Sequence, residues 1–248
     1  MISGKDFDNS TSALLPVRKI IDFSVVDGPG ARLAIFVQGC PLHCKFCHNP
    51  ETQSMTQLVE GMTKEQILDK VQSAVPFIRG ITISGGECML YAEFIENLFS
   101  DIKKQYGFLE CSIDTSGAIA FKNYPRLLSV VDSVFLDVKE WGEARYCSLT
   151  GGDFEVLKEN YCLLLEKKLI GELRLLCDGE VIETKNILQS MLEQGGKYRV
   201  EKYPVKLIKF RPNGVLGPWS NKTPPSSDYM EELKKFALSI GYEDVSII

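Results

Sequence analysis

Short apolar runs alternate with longer amphipathic stretches along most of this 248-residue chain, and that rhythm constrains the fold more than any other feature. The runs at 33–37, 80–84, 110–114, 133–137, 171–176 and 206–210 have the length of strands, and several are rich in Val, Ile and Phe. Between them, 91–106, 154–168 and 182–195 carry apolar residues at helical spacing. Thr63-Lys-Glu-Gln66 ahead of Ile67, Leu68, Val71 and Val75 reads as a capping box. Asp228-Tyr-Met-Glu231 repeats the device before Leu233 and Phe236, and Gly241 is placed to end that last helix. Repeated strand–helix units build a parallel sheet, and six of them fall short of a closed barrel. The expected fold class is α/β, an open, partial (β/α)6 barrel.

In such architectures ligands gather at the C-terminal ends of the strands. Ser84-Gly85-Gly86-Glu87 follows the second strand, and its glycine pair permits close approach to bare backbone, although alone it is equally an ordinary turn. Asp114-Thr115-Ser116-Gly117 ends the third strand and Asp137-Val138-Lys139 the fourth. These place two carboxylates and an ammonium at one cavity, where charges need partners. A local ion pair between Asp137 and Lys139 is the structural alternative. Arg174, among apolar residues of the fifth strand, requires a carboxylate, supplied either by a ligand or by a salt bridge.

The chemistry concentrates behind the first strand, in Cys40-Pro-Leu-His-Cys44-Lys-Phe-Cys47-His48-Asn49. Three thiols stand at CxxxCxxC spacing with no fourth cysteine close by. Thiolates select zinc, copper or iron–sulfur clusters, and a four-iron cubane held by three cysteines keeps one iron open. Cys88, Cys111, Cys147, Cys162 and Cys177 are scattered without pairing and read as small hydrophobes. His43 and His48 are the sole histidines, both in this loop, which excludes a Ser-His-Asp triad. Two rival classes remain. Cys44-Lys-Phe-Cys47-His48 is formally the CxxCH of c-type haem attachment, against which stands Cys40. A zinc-binding module needs four tetrahedral ligands, which adjacent Cys47 and His48 serve poorly.

Cys40, Cys44 and Cys47, with Val26-Asp27-Gly28-Pro29-Gly30-Ala31-Arg32 upstream and Gln38-Gly39 at the entrance, resemble the radical S-adenosylmethionine superfamily and, within it, the glycyl-radical enzyme activating enzymes. The resemblance implies a 4Fe-4S cluster on the three cysteines and S-adenosylmethionine on the open iron. It implies reductive cleavage to a 5'-deoxyadenosyl radical, which abstracts a glycine Cα hydrogen from a partner glycyl-radical enzyme. By the same resemblance Phe46, Cys47, His48, Gly85, Gly86, Glu87, Asp137, Val138, Lys139 and Arg174 bind the cofactor. Asp114, Thr115 and Asp137, with the Phe135 backbone, form a site for Na+ or K+. The stretch 50–62 is too short for a ferredoxin-like insertion, so the electron comes from an external flavodoxin or ferredoxin. The segment from Lys209 to Gly217 stands where relatives carry a cofactor-contacting histidine, and none occurs here. The runner-up is a superfamily member acting on a small molecule by heterocycle rearrangement.

Composition bounds the rest. A net charge of −5 gives no footprint for nucleic acid, and 44% hydrophobic content suits one ordinary globular domain over 1–248. Residues 1–16, polar and carrying Asp6 and Asp8, read as an N-terminal extension without a secretory signal, and no run is long enough to span a membrane. A cytoplasmic monomer is the expectation.

Overall fold

The computed structural model describes residues 14–248; most of the polar N-terminal extension, 1–13, lies outside the described residues. Nine strands form one sheet: β1 (Leu14–Ser24), β2 (Arg32–Val37), β3 (Gly61–Thr63), β4 (Gly80–Gly85), β5 (Glu110–Thr115), β6 (Ser133–Asp137), β7 (Ile170–Cys177), β8 (Val205–Lys209) and β9 (Val245–Ile247). Their order is β3-β1-β2-β4-β5-β6-β7-β8-β9, and every pairing from β2 to β9 is parallel. The helices are α1 (Lys64–Ala74), α2 (Ala92–Gln105), α3 (Leu127–Val130), α4 (Glu143–Thr150), α5 (Phe154–Glu166), α6 (Thr184–Gly195) and α7 (Ser227–Ser239). The edges β3 and β9 do not pair, so the barrel is open. None of the described helices is long and apolar enough to cross a membrane.

All six strands read from the sequence are present, within a residue or two of their expected bounds. Three others were not read. β1 pairs antiparallel with β2, and its period-two pattern is broken by irregularities between Val17 and Lys19 and between Ile21 and Ser24. Leu14, Leu15 and Pro16, expected in an extension, instead pair with β3. β9 adds a seventh parallel strand through Val245. The capping box at Thr63 forms as expected, its hydroxyl accepting from the Gln66 N–H at 3.2 Å and the Gln66 side chain accepting from the Thr63 N–H at 2.8 Å. The cap of α7 is a correction: Ser226, not Asp228, accepts from the Tyr229 N–H at 3.1 Å.

Strands β4 to β7 each have an apolar side and a largely polar side. Ile81, Ile83, Cys111, Ile113, Val134, Leu136, Leu173 and Leu175 are fully buried in the hydrophobic core. The alternate residues, among them Thr82, Ser84, Ser112, Asp114, Ser133, Asp137, Glu172 and Arg174, are polar, a period of two that separates the faces of a strand. A polar barrel interior is costly unless every group in it is paired. At the N-terminal ends of the strands that pairing centres on Arg32, whose side chain is fully buried. Its guanidinium donates to the Thr82 hydroxyl (2.6 Å), the Ser112 hydroxyl (2.6 Å), the Glu110 carboxylate (3.0 Å) and the carbonyls of Pro29, Ile81 and Glu110. The Val26–Arg32 stretch thus ends as a plug in the barrel floor. Gly28 is required there: its φ is +122°, and a Cβ would stand 2.6 Å from the Phe135 ring.

At the opposite ends, the turn after β4 locks onto the cysteine loop. The Gly86 N–H donates to the Val37 carbonyl (3.0 Å), the Glu87 N–H to the Gly39 carbonyl (2.8 Å), and the Gly39 N–H to the Thr52 carbonyl (2.8 Å). A Cβ on Gly86 would lie 2.1 Å from the Gly39 carbonyl oxygen.

Two outcomes are expected. Arg32→Met removes a buried charge from six hydrogen bonds and should cost on the order of 3 kcal/mol in a urea melt of the apo protein, whereas an unchanged midpoint would contradict the plug. Gly86→Ala should force the turn and loop apart, so that amide exchange at Gly39 and Glu87 accelerates while α5 and α6 remain protected.

Candidate functional site

Three loops converge on one cavity of about 250 Å3 at the C-terminal ends of the strands. Cys40, Cys44, Phe46, Cys47 and His48 enter from the loop after β2, Gly85 and Gly86 from the turn after β4, and Asp114 and Thr115 from the end of β5. Asp137, Val138 and Lys139 follow from β6, and Arg174 points in from the middle of β7. Every site residue expected from the sequence lines this cavity except Glu87 and Phe135.

Glu87 lies behind the wall. Its fully buried carboxylate accepts from the Met89 N–H (3.0 Å), the Thr115 hydroxyl (2.7 Å), the Ser116 N–H (3.0 Å) and the Ser116 hydroxyl. It therefore pins the β4 turn to the end of β5 rather than facing a ligand. Cys88, next in sequence, is also turned away: it is fully buried, 3.4 Å from the Asp114 carbonyl, and burial pushes its thiol well up. Cys111 and Cys177 are buried as small hydrophobes, but Cys147 is exposed on α4, contrary to that expectation.

The charges in the cavity neutralise one another. Asp114 accepts from the Ser84 hydroxyl (3.0 Å) and from Arg174 (2.9 Å), and burial, opposed by Arg174, pushes its carboxyl up to about 6. Arg174 also meets Glu172 at 2.9 Å and lies 4.8 Å from the centre of the Phe135 ring. The salt bridge expected as one alternative for Arg174 is present, and the Phe135 ring also has the Arg32 guanidinium 5.9 Å from its centre. Lys139 donates to Asp137 at 3.1 Å. Burial works against its ammonium, but Asp137 and the ionised forms of Cys44 and Cys47 outweigh burial and push its pKa up. As for the cation site, Asp114 and Asp137 already have Arg174 and Lys139, and the Thr115 hydroxyl is committed to Glu87.

The cysteine loop fits a polynuclear cluster. Among the described residues no three His, Cys, Asp or Glu side chains converge on a point that would hold a single ion. The three motif thiols line the same cavity, and the lack of a converging set of ligands among the described residues disfavours a tetrahedral zinc module. Burial pushes Cys40 up to about 12 and Cys44 up to about 11, so each is a thiol until a metal displaces its proton. Tyr146 on α4, which the sequence did not signal, is buried near Lys139 and Cys44, and burial pushes its hydroxyl well up. His48 is not available as a haem ligand through Nε2, which donates to the Arg211 carbonyl at 2.7 Å and so fixes the tautomer. That bond ties the cysteine loop to the segment after β8, where relatives were expected to carry a histidine.

Comparison with known proteins agrees with this geometry. Residues 26–139 match the family described as 4Fe-4S single cluster domain. Pyruvate formate-lyase-activating enzyme of Clostridium pasteurianum is 37% identical over 139 residues, 54% of this chain and 57% of that enzyme, so the match spans little more than half of each. The enzyme of the same name from Streptococcus mutans is 29% identical over 98% of this chain and 97% of its own length. Among solved structures, QueE from Escherichia coli superposes with a TM-score of 0.57 at 15% identity, covering 95% of this chain and 94% of that one, a likeness of fold alone. The chain is thus similar over 26–139 to the 4Fe-4S single cluster domain and along nearly its whole length to a pyruvate formate-lyase-activating enzyme.

Proposed function

We propose that this protein is a glycyl-radical enzyme activase built as a single radical S-adenosylmethionine domain. One observation carries the reading: the three motif thiols, the bare glycine turn, the Asp137–Lys139 pair and Arg174 all face one cavity at the strand ends. Bound by three thiolates and reduced by one electron, a 4Fe-4S cluster supplies the reductive cleavage of S-adenosylmethionine, and so the removal of a Cα hydrogen from a glycine of the partner enzyme.

The chain's own residues hold and orient. Cys40, Cys44 and Cys47 are the thiolate donors, and Lys139, held cationic beside them, offsets part of their charge. Gly85 and Gly86 leave backbone uncovered where the methionyl amine of S-adenosylmethionine would lie. Asp137, Val138 and Lys139 stand where its ribose and carboxylate would be met, and Arg174 offers a second cation to that carboxylate. Phe46 and His48 close the same wall, Phe46 with its ring 6.0 Å from the Lys139 ammonium. A bound Na+ or K+ would have to share Asp114 and Asp137 with Arg174 and Lys139. A glycine is the suitable target because its Cα carries no side chain to block approach and flanking amides stabilise the product radical. The partner enzyme belongs to this reading, which the homologues' names support, and an external flavodoxin or ferredoxin as electron donor is part of the same proposal.

In the anaerobically reconstituted protein, Cys40→Ala, Cys44→Ala and Cys47→Ala should each abolish formation of 5'-deoxyadenosine, whereas Cys162→Ala, half-buried on α5, should leave it intact. Electron paramagnetic resonance after incubation with candidate glycyl-radical enzymes should show a glycyl doublet; 5'-deoxyadenosine formed with no doublet on any of them would favour a small-molecule substrate. Because Cys40 and Cys44 hold their protons strongly, metal uptake must release them, and iron bound per chain should rise with pH throughout the range below about 11. Loading independent of pH would contradict that coupling.

A further inference from the structure

Phe46 stands between Cys44 and Cys47 in the sequence, so whatever fixes its ring fixes the backbone that carries both thiols. Ahead of that point the loop is held by backbone bonds to the last turn of α4: the His43 N–H donates to the Thr150 carbonyl (2.7 Å) and the Lys45 N–H to the Leu149 carbonyl (3.0 Å). Beyond Lys45 the support changes in kind. The Cys47 N–H turns back on the Cys44 carbonyl (3.2 Å), and the buried Phe46 ring meets Trp219 edge-on at 5.3 Å. Trp219 comes from a short helical turn, Gly217–Asn221, after β8, and is itself buried against Phe210 at 5.6 Å. Lys222, at the end of that turn, places its ammonium 4.7 Å from the centre of the Trp219 ring. The same ammonium pairs with Glu180 and lies 3.4 Å from Asp178, whose fully buried side chain also accepts from the Val181 N–H (3.1 Å) and the Ile182 N–H (2.9 Å). A continuous series of contacts therefore runs from a buried carboxylate behind β7, through an ammonium and two rings, to the middle of the cysteine loop. None of Asp178, Trp219 and Lys222 lines the main cavity.

We propose that Trp219 and Lys222 are positioning residues for the cysteine loop: they hold Phe46, and with it Cys44 and Cys47, in place before iron arrives. What the loop binds rests on the function proposed above. A loop free to move must give up its conformational freedom when metal binds, whereas one already fixed by packing does not. An edge-on ring contact and a cation over an indole are each modest, but both are directional, so together they set the plane of the Trp219 ring against Phe46. The ammonium is held there because its departure would leave the Asp178 carboxylate buried without its cation.

The test is maleimide labelling of the reduced, iron-free protein, read cysteine by cysteine by peptide mass spectrometry, in wild type, Lys222→Met, Trp219→Ala and Trp219→Phe. Cys44 and Cys47 should label roughly threefold to tenfold faster in Lys222→Met and Trp219→Ala, the worth of one ring contact or one cation over a ring. Exposed Cys147 and buried Cys111 should keep their wild-type rates. Trp219→Phe, which retains an aromatic edge for Phe46, should stay near wild type. After reconstitution the two faster-labelling variants should also lose iron to a chelator sooner. Unchanged labelling of Cys44 and Cys47 in both variants would overturn the proposal, and so would a parallel rise at Cys111, the mark of general loosening. Should Trp219→Ala fail to fold, Lys222→Met, which leaves both rings in place, decides alone. The labelling needs neither iron nor S-adenosylmethionine, so a wild type that forms no 5'-deoxyadenosine would strike at the proposed function and leave this result standing.

Discussion

The site depends on one buried carboxylate. Glu87 receives donors from the turn it belongs to and from Thr115 and Ser116 at the end of β5. A carboxylate removed from water is tolerated only when its lone pairs are met, and here the donors that meet it come from two neighbouring strand ends. Its own N–H meanwhile reaches the Gly39 carbonyl at the entrance of the cysteine loop. Through one residue the β4 turn, the β5 end and the cysteine loop are set relative to one another. Gly86 then lets backbone approach backbone at a distance no side chain would allow.

The barrel interior extends that logic downward. A sheet lined with hydroxyls and carboxylates would be unstable if left unpaired, and two arginines meet the demand at two levels. Arg32 fills the floor and Arg174 the middle, and both guanidinium groups meet the Phe135 ring. Arg174 reaches across β6 to Asp114, so three adjacent strands are tied by a charge pair that also faces the cavity. A site assembled from rigid strand ends in this way keeps its charges fixed before any ligand arrives.

Much of this was legible in the sequence because the signals are local. The six parallel strands show as apolar runs, the cysteine spacing marks the metal loop, and the polar elements fall where parallel strands end. The strands that escaped notice lack such signals: β1 is interrupted by bulges and β3 and β9 are three residues each. For Glu87 the sequence gives its place after a strand but not which donors its carboxylate meets once the fold brings several to it. Asp228 was read as a cap because it begins a box pattern, whereas Ser226 wins by starting the helix earlier. The pairing of Arg174 with Glu172 follows from their period-two spacing on β7, but its reach to Asp114 depends on strand order, which no local pattern encodes.

The account turns on an iron that no protein thiolate occupies. Mössbauer spectroscopy of protein reconstituted with the Mössbauer-active iron isotope, recorded before and after adding S-adenosylmethionine, tests it most directly. A single iron of the cluster should change its signal while the cysteine-held irons keep theirs. Spectra that do not respond to S-adenosylmethionine would contradict the account.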